Sequence, residues 1–81
     1  MDELTKALAE FFTEQRKRAR HTIEAAASML DISLAELELF EQGKAPIPSA
    51  LIFAMANVYN ADPDVVLELI RRFQPGAKPS G

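Results

Sequence analysis

The chain of 81 residues contains no cysteine and no tryptophan, and it has no long apolar run. Without cysteine it can form neither a disulfide nor a thiolate metal site, which fits a reducing cytoplasm as its location. Its apolar runs fall far short of the roughly 18 residues that a membrane-spanning helix needs. The acidic start Met1-Asp2-Glu3 is unlike a signal peptide, which begins with basic residues and an apolar stretch. The sequence therefore predicts one small folded domain with no membrane segment.

Basic side chains are also few, and one stretch has none. Nine Lys and Arg oppose twelve Asp and Glu, for a net charge of −3, which lowers the expectation of DNA binding. The stretch 33–43 contains three carboxylates and several leucines but no Lys or Arg. The basic residues cluster elsewhere, in the groups Arg16, Lys17, Arg18, Arg20 and Arg71, Arg72, Lys78. The first group either contacts phosphate or an acidic partner, or it is a solvated helix end that complements the helix dipole.

The sequence contains no recognisable set of catalytic residues. It has no nucleophile with a supporting base, no glycine-rich phosphate loop and no cluster of metal-ligating residues. His21 is the only histidine, and it is interpreted as a turn residue. We therefore expect no enzyme activity, no cofactor, no metal and no small-molecule substrate.

Apolar periodicity and capping residues predict five helices and no strand, hence an all-α, compact five-helix domain over residues 1–73. The first helix runs from about residue 3 to residue 20. Thr22 caps a second helix that spans 23–30, and Ser33 with Glu36 forms a capping box that starts a third. The fourth and fifth helices are expected over about 49–59 and 63–73, and the tail 74–81 is expected to be disordered. Left-handed residues are expected at Asp31 and Asn60, and Gly43 is expected to end the third helix.

Several short motifs at consistent spacings carry a resemblance to a known family. Thr22-Ile23-Glu24-Ala25-Ala26-Ala27 looks like Thr-Gln-Glu-Glu-Leu-Ala, Leu30-Asp31-Ile32-Ser33 looks like Leu-Gly-Val-Ser, and Phe40-Glu41-Gln42-Gly43-Lys44 looks like Ile-Glu-Arg-Gly-Lys. Over about residues 16–67 the chain thus resembles the phage Cro/repressor-type (XRE-like) helix-turn-helix family. The resemblance implies a lambda-repressor-like fold in which helices 2 and 3 form the helix-turn-helix. It also implies a structural ion pair between Arg16 and Glu41.

In that family the third helix reads base edges, and the matching positions here are Leu34, Ala35, Glu38 and Leu39. Direct readout normally uses Arg, Lys, Asn or Gln, and none of these occupies the four positions. Gln42, Lys44 and the N-termini of the helices remain as candidate phosphate contacts.

These residues leave three interpretations of the apolar surface formed by Leu34, Ala35 and Leu39. It contacts a protein, it contacts DNA through thymine methyl groups, or it is an incidental surface. Two functions follow. The first is a transcription-regulatory module that acts mainly through protein contact, with weak or no DNA binding. The second is a repressor-like regulator that binds operator DNA as a dimer.

The fourth and fifth helices carry more apolar side chains than one core face needs. Family dimers often use the C-terminal helices, so the resemblance implies a homodimer with contacts at Phe53, Val58 and Phe73. The alternative is that the fourth helix is simply buried on all sides at the centre of a monomer.

Overall fold

The computed structural model describes residues 2–73, and these form five α-helices with no β-strand among them. The helices are α1 (Glu3–Arg18), α2 (Ile23–Leu30), α3 (Leu34–Glu41), α4 (Ser49–Val58) and α5 (Pro63–Phe73). The predicted all-α, five-helix fold is confirmed. The predicted disordered tail, 74–81, lies outside the described residues. None of the five helices combines the length and apolar character that crossing a bilayer requires.

Polar side chains cap the starts of α2, α3 and α5, whereas α4 begins after Pro48 without a side-chain cap. The Thr22 hydroxyl accepts a hydrogen bond from the Ala25 amide at 3.1 Å, and the Ser33 hydroxyl accepts one from the Glu36 amide at 3.0 Å. An Asp62 carboxylate oxygen accepts from the Asp64 amide at 2.9 Å, at the start of α5. Each bond satisfies a backbone donor that the first turn of a helix leaves unpaired. The predicted caps at Thr22 and Ser33 are confirmed.

The first four helices end in the same way, with a left-handed residue just beyond the last turn. These residues are Arg20, Asp31, Gly43 and Asn60, with φ of 64°, 58°, 71° and 56°. In each case the following amide donates back to a carbonyl five positions earlier, as in the Ile32-to-Ala27 bond of 3.0 Å. This is the Schellman arrangement, which satisfies the last carbonyls of a helix.

Two helix ends differ from the prediction. The first helix was expected to continue to residue 20, but it ends at Arg18 because Arg20 takes the left-handed conformation. The fourth helix ends at Val58, one residue earlier than expected, and Tyr59 follows as its cap. The left-handed conformations of Asp31 and Asn60 were predicted correctly.

Every helix contributes to one core. The most buried side chains come from five different helices, and they form a single cluster: Phe12, Ala26, Leu37, Met55 and Val66. Small residues on α2, Ala26 and Ala27, are buried and permit close helix packing. Met29 on the same helix is 47% exposed, because the face of α2 toward the core is filled by the two alanines and Leu30.

Candidate interface on the third helix

The packing of α3 divides its side chains into an inner and an outer set. Leu37 and Phe40 are buried in the core, with 0% and 8% exposure. Leu39 is 45% exposed and Leu34 is 38% exposed. The six sequence-predicted interface residues are all exposed: Leu34, Ala35, Glu38, Leu39, Gln42 and Lys44. The structure therefore brings together, on the outer side of α3 and just beyond its end, the residues that the sequence singled out.

Glu36 is held by the start of α3. Its carboxylate accepts a hydrogen bond from the Ser33 amide at 3.1 Å, while the Glu36 amide donates to the Ser33 hydroxyl at 3.0 Å. The reciprocal pair is a full capping box, which fixes the first turn of the helix. The presence of Glu36 thus has a structural reason that is independent of any partner.

Glu41 is held by an ion pair with Arg16 of α1. The Arg16 guanidinium donates two hydrogen bonds to the Glu41 carboxylate, at 2.6 Å from Nε and 3.1 Å from Nη2. Nη1 donates to the His21 carbonyl at 2.9 Å. The two charged side chains are only 12% and 10% exposed, and the hydrogen bond to Glu41 raises the pKa of Arg16 further. This contact joins the end of α1 to the end of α3.

Tyr59 lies beside this ion pair, and sequence reasoning did not place it there. Its ring is 6.2 Å from the His21 ring and 6.3 Å from the Phe12 ring, between centroids. Its hydroxyl is buried and has no hydrogen-bond partner among the described residues. Burial raises the pKa of Tyr59 to about 12. No local pattern predicts this position, because only the tertiary fold brings Tyr59 close enough to Arg16 and Glu41 for their charges to act on its pKa.

The helix-turn-helix carries acidic charge without basic charge. Residues 22–43 include five carboxylates and no Lys or Arg. Among the described residues, only Glu41 of these five takes part in an ion pair. Glu38 is exposed on the outer side of α3, next to Leu39 in sequence. Unpaired carboxylates at this surface repel DNA phosphates, and the nearest Lys or Arg beyond this segment along the chain toward its C-terminus is the exposed Lys44.

The basic residues lie at other places on the molecule. Lys17, Arg18 and Arg20 are exposed at the end of α1, where Arg18 makes a long contact of 3.4 Å with Glu14. On α5, Arg71 and Arg72 lie 3.8 and 3.7 Å from Glu68, and Lys78 lies outside the described residues. The outer side of α3 therefore gains no basic residue from its own helix or from α2.

The three predicted dimer residues differ in exposure. Phe53 on α4 is 52% exposed, the most exposed large apolar side chain described. Val58 is half-buried and packs against the core, and Phe73 at the end of α5 is half-buried. No group of His, Asp and Glu among residues 2–73 is arranged to hold a metal ion.

Two short helices joined by a three-residue turn, packed within a five-helix core, define a helix-turn-helix protein. Residues 7–69 match a family model described as a helix-turn-helix domain, and the chain belongs to that family. The match agrees with the resemblance to Cro/repressor-type proteins. Such domains are typical of DNA-binding regulatory modules and are not typically enzymatic. No curated protein and no solved structure matches the chain.

Proposed function

We propose that this protein is a cytoplasmic, transcription-regulatory helix-turn-helix module whose third helix binds a protein partner and binds DNA weakly or not at all. The observation that carries the proposal is the chemistry of the outer side of α3. Leu34, Ala35, Glu38 and Leu39 occupy the positions that face DNA in Cro/repressor-type proteins, and all four are exposed. The fold supports a regulatory role, and these four side chains favour binding to a protein over binding to DNA.

These four outer side chains of α3 are poorly suited to distinguish one base pair from another. A bidentate contact from Arg, Lys, Asn or Gln contributes about 1–3 kcal/mol of discrimination between bases. None of the four can make one. Leu and Ala can touch only thymine methyl groups, and Glu38 can accept only from cytosine while its charge is repelled by the backbone. Apart from the N-termini of the helices, only Gln42 and Lys44 can contact phosphates near this surface, and only Lys44 is charged. Few phosphates are therefore neutralised, which predicts a weak dependence of affinity on salt.

The same side chains suit a protein contact. Leu39 and Leu34 expose a large part of their apolar surface, and full burial of a leucine side chain contributes about 1.5–3 kcal/mol. Ala35 lies one turn before Leu39 and leaves room for an approaching side chain. An exposed apolar cluster on a helix is typical of a helix that packs against a partner.

Fluorescence anisotropy with duplex DNA tests the proposal. Labelled fragments from a selected or genomic pool are titrated at salt concentrations from about 50 to about 300 mM. We expect weak binding with a shallow salt slope, because few phosphates are neutralised. Sub-micromolar binding that is sequence-selective and steeply salt-dependent would contradict the protein-contact role.

A matched pair of substitutions tests the role of the apolar surface. Leu39→Lys should abolish capture of a partner from the source cell while leaving the helical circular dichroism unchanged. Leu67→Lys on α5 is the control, because Leu67 has the same exposure of 45%. If Leu39→Lys and wild type capture the same proteins, the apolar surface is incidental.

The second candidate function is a repressor-like regulator that binds operator DNA as a homodimer. The family membership and the 52% exposure of Phe53 favour it. The proposed dimer contacts are Phe53, Val58 and Phe73. Light scattering tests dimer formation: a mass that stays near 9.0 kDa at all concentrations excludes it. Replacement of Phe53 by Ser should lower the mass if the dimer forms through α4.

A further inference from the structure

We infer that the segment bound by α3 is a basic amphipathic helix, in which Lys or Arg residues flank an apolar stripe. The inference rests on the proposed function, since it names the partner of the same surface. It follows from the arrangement of charge around the apolar side chains of α3 and from the absence of basic residues in the helix-turn-helix.

The outer side of α3 has an apolar row between two carboxylates. Successive residues of a helix are about 100° apart, so Ala35 and Leu39 form one row that points away from Leu37 and Phe40. On the same projection Glu38 lies to one side of this row and Glu36 lies to the other. Both glutamates are exposed, and Leu34 lies one turn before Glu38, on the side of Glu38 that faces away from the row.

This arrangement selects the charge of the partner. When two helices pack along an apolar seam, the residues that flank the seam face each other and set partner choice by charge. A partner with Glu or Asp at its flanks would bring like charges together, whereas Lys or Arg would pair with Glu36 and Glu38. Glu24 and Asp31 are also exposed and lie in the same segment, so basic residues beyond the seam are favoured as well.

A second copy of this chain is a poorer match for the surface. Its most exposed apolar side chain, Phe53, lies on α4, which has no Lys or Arg to pair with the glutamates. The exposed apolar residues of α5, Val65 and Leu67, share that helix with Arg71 and Arg72, but both arginines are within 3.8 Å of Glu68. With Asp64 on the same helix, the charges of α5 cancel. Its other basic group, at the end of α1, includes no exposed large apolar side chain.

A displayed library of helical peptides tests the inference. Every peptide carries the same leucine stripe, and the flanking positions vary among Lys, Glu, Gln and Ser. The library is selected on wild-type protein and counter-selected on Leu39→Lys, so that only binders of the α3 surface remain. We expect Lys to exceed Glu at the flanking positions by at least about threefold.

The affinity of one selected peptide is then measured against a variant that lacks the two flanking charges. Glu36→Gln with Glu38→Gln keeps the capping box, because Gln also serves at that position, and it leaves the apolar row intact. We expect binding to weaken by about three- to tenfold, and the loss to shrink at high salt. The control, Glu3→Gln with Glu10→Gln on α1, should not change the affinity.

Three outcomes would overturn the inference. If the selected peptides depend on Leu39 but their flanks are neutral or acidic, the partner chemistry is wrong and the proposed function stands. If no peptide distinguishes wild type from Leu39→Lys, both the inferred partner chemistry and the proposed function fail. If wild type self-associates in light scattering and the Glu36→Gln, Glu38→Gln variant does not, the occupant is a second copy.

Discussion

The Arg16–Glu41 ion pair should show strong energetic coupling, and a double-mutant cycle can measure it. The two side chains are 12% and 10% exposed, and the guanidinium donates two hydrogen bonds to the carboxylate. Removal of one partner from a buried pair costs about 3–5 kcal/mol, because the remaining charge stays desolvated and unpaired. Because the Arg16–Glu41 pair is partly buried, we expect Arg16→Met to lower the free energy of unfolding toward the lower end of this range, by about 3 kcal/mol.

That cost is large for a domain of this size. At about 0.05–0.15 kcal/mol per residue, the whole chain is stable by about 4–12 kcal/mol. About 1 kcal/mol of this loss comes from the hydrogen bond to the His21 carbonyl, whose donor Arg16→Met also removes. Replacement of both partners, Arg16→Met with Glu41→Leu, leaves no buried charge and should be less destabilising than the sum of the single substitutions by about 2–4 kcal/mol.

Urea unfolding followed by far-ultraviolet circular dichroism provides the assay. The exposed pair between Arg18 and Glu14 is a matched control, with side chains 72% and 59% exposed and a contact of 3.4 Å. Its coupling should not exceed about 0.5 kcal/mol. Additivity within about 0.5 kcal/mol at Arg16 and Glu41 would refute the reasoning, because it would mean that the buried pair behaves like the exposed one.

Three further predictions concern stability. Tyr59 is the only tyrosine, so phenolate absorbance reports on it alone. Because burial raises its pKa from 10.0 to about 12, its contribution to the free energy of unfolding should be complete below pH 10 and fall by about 1–3 kcal/mol as the pH rises toward 12. Tyr59→Phe should remove this loss. A phenol that titrates near 10 in the folded protein would contradict its burial. Ser33→Ala should lower the free energy of unfolding, measured with urea, by about 1 kcal/mol. An unchanged stability would mean that the capping box does not form. Gly43→Ala should lower the free energy of unfolding by about 1–2 kcal/mol, because residue 43 has a φ of 71°. The new methyl group would meet Ala9 and Lys6 only at ordinary contact distances, so backbone strain is the only cost expected. An unchanged urea midpoint would show that the left-handed turn is not required.

Local chemistry explains why the helix-turn-helix was predictable. The starts of α2 and α3 follow from caps at Thr22 and Ser33, which act within three residues along the chain. The outward direction of Leu39 follows from the helical period once Leu37 and Phe40 are placed in the core. Such signals lie within one or two turns of sequence, and the structure has both elements as the sequence predicts.

Tertiary effects explain what the sequence did not reveal. The left-handed conformation of Arg20 has no residue-type signal, because arginine is not a usual helix stop. The exposure of Met29 also depends on tertiary packing, because the two alanines and Leu30 on α2 fill the contact with the core. The position of Tyr59 beside Arg16 and Glu41 depends on how α1, α3 and α4 come together.

One comparison tests most directly the claim that the outer side chains of α3, and not the fold, prevent DNA binding. Non-specific duplex affinity is measured for wild type, for Glu38→Lys with Leu39→Lys, and for a control with the same charge change outside the helix-turn-helix, Glu10→Lys with Val65→Lys. We expect the α3 variant to bind at least about tenfold more tightly than both others at low salt, with a salt slope steeper by about two. Sub-micromolar, sequence-selective binding by wild type that the α3 substitutions destroy would contradict the claim.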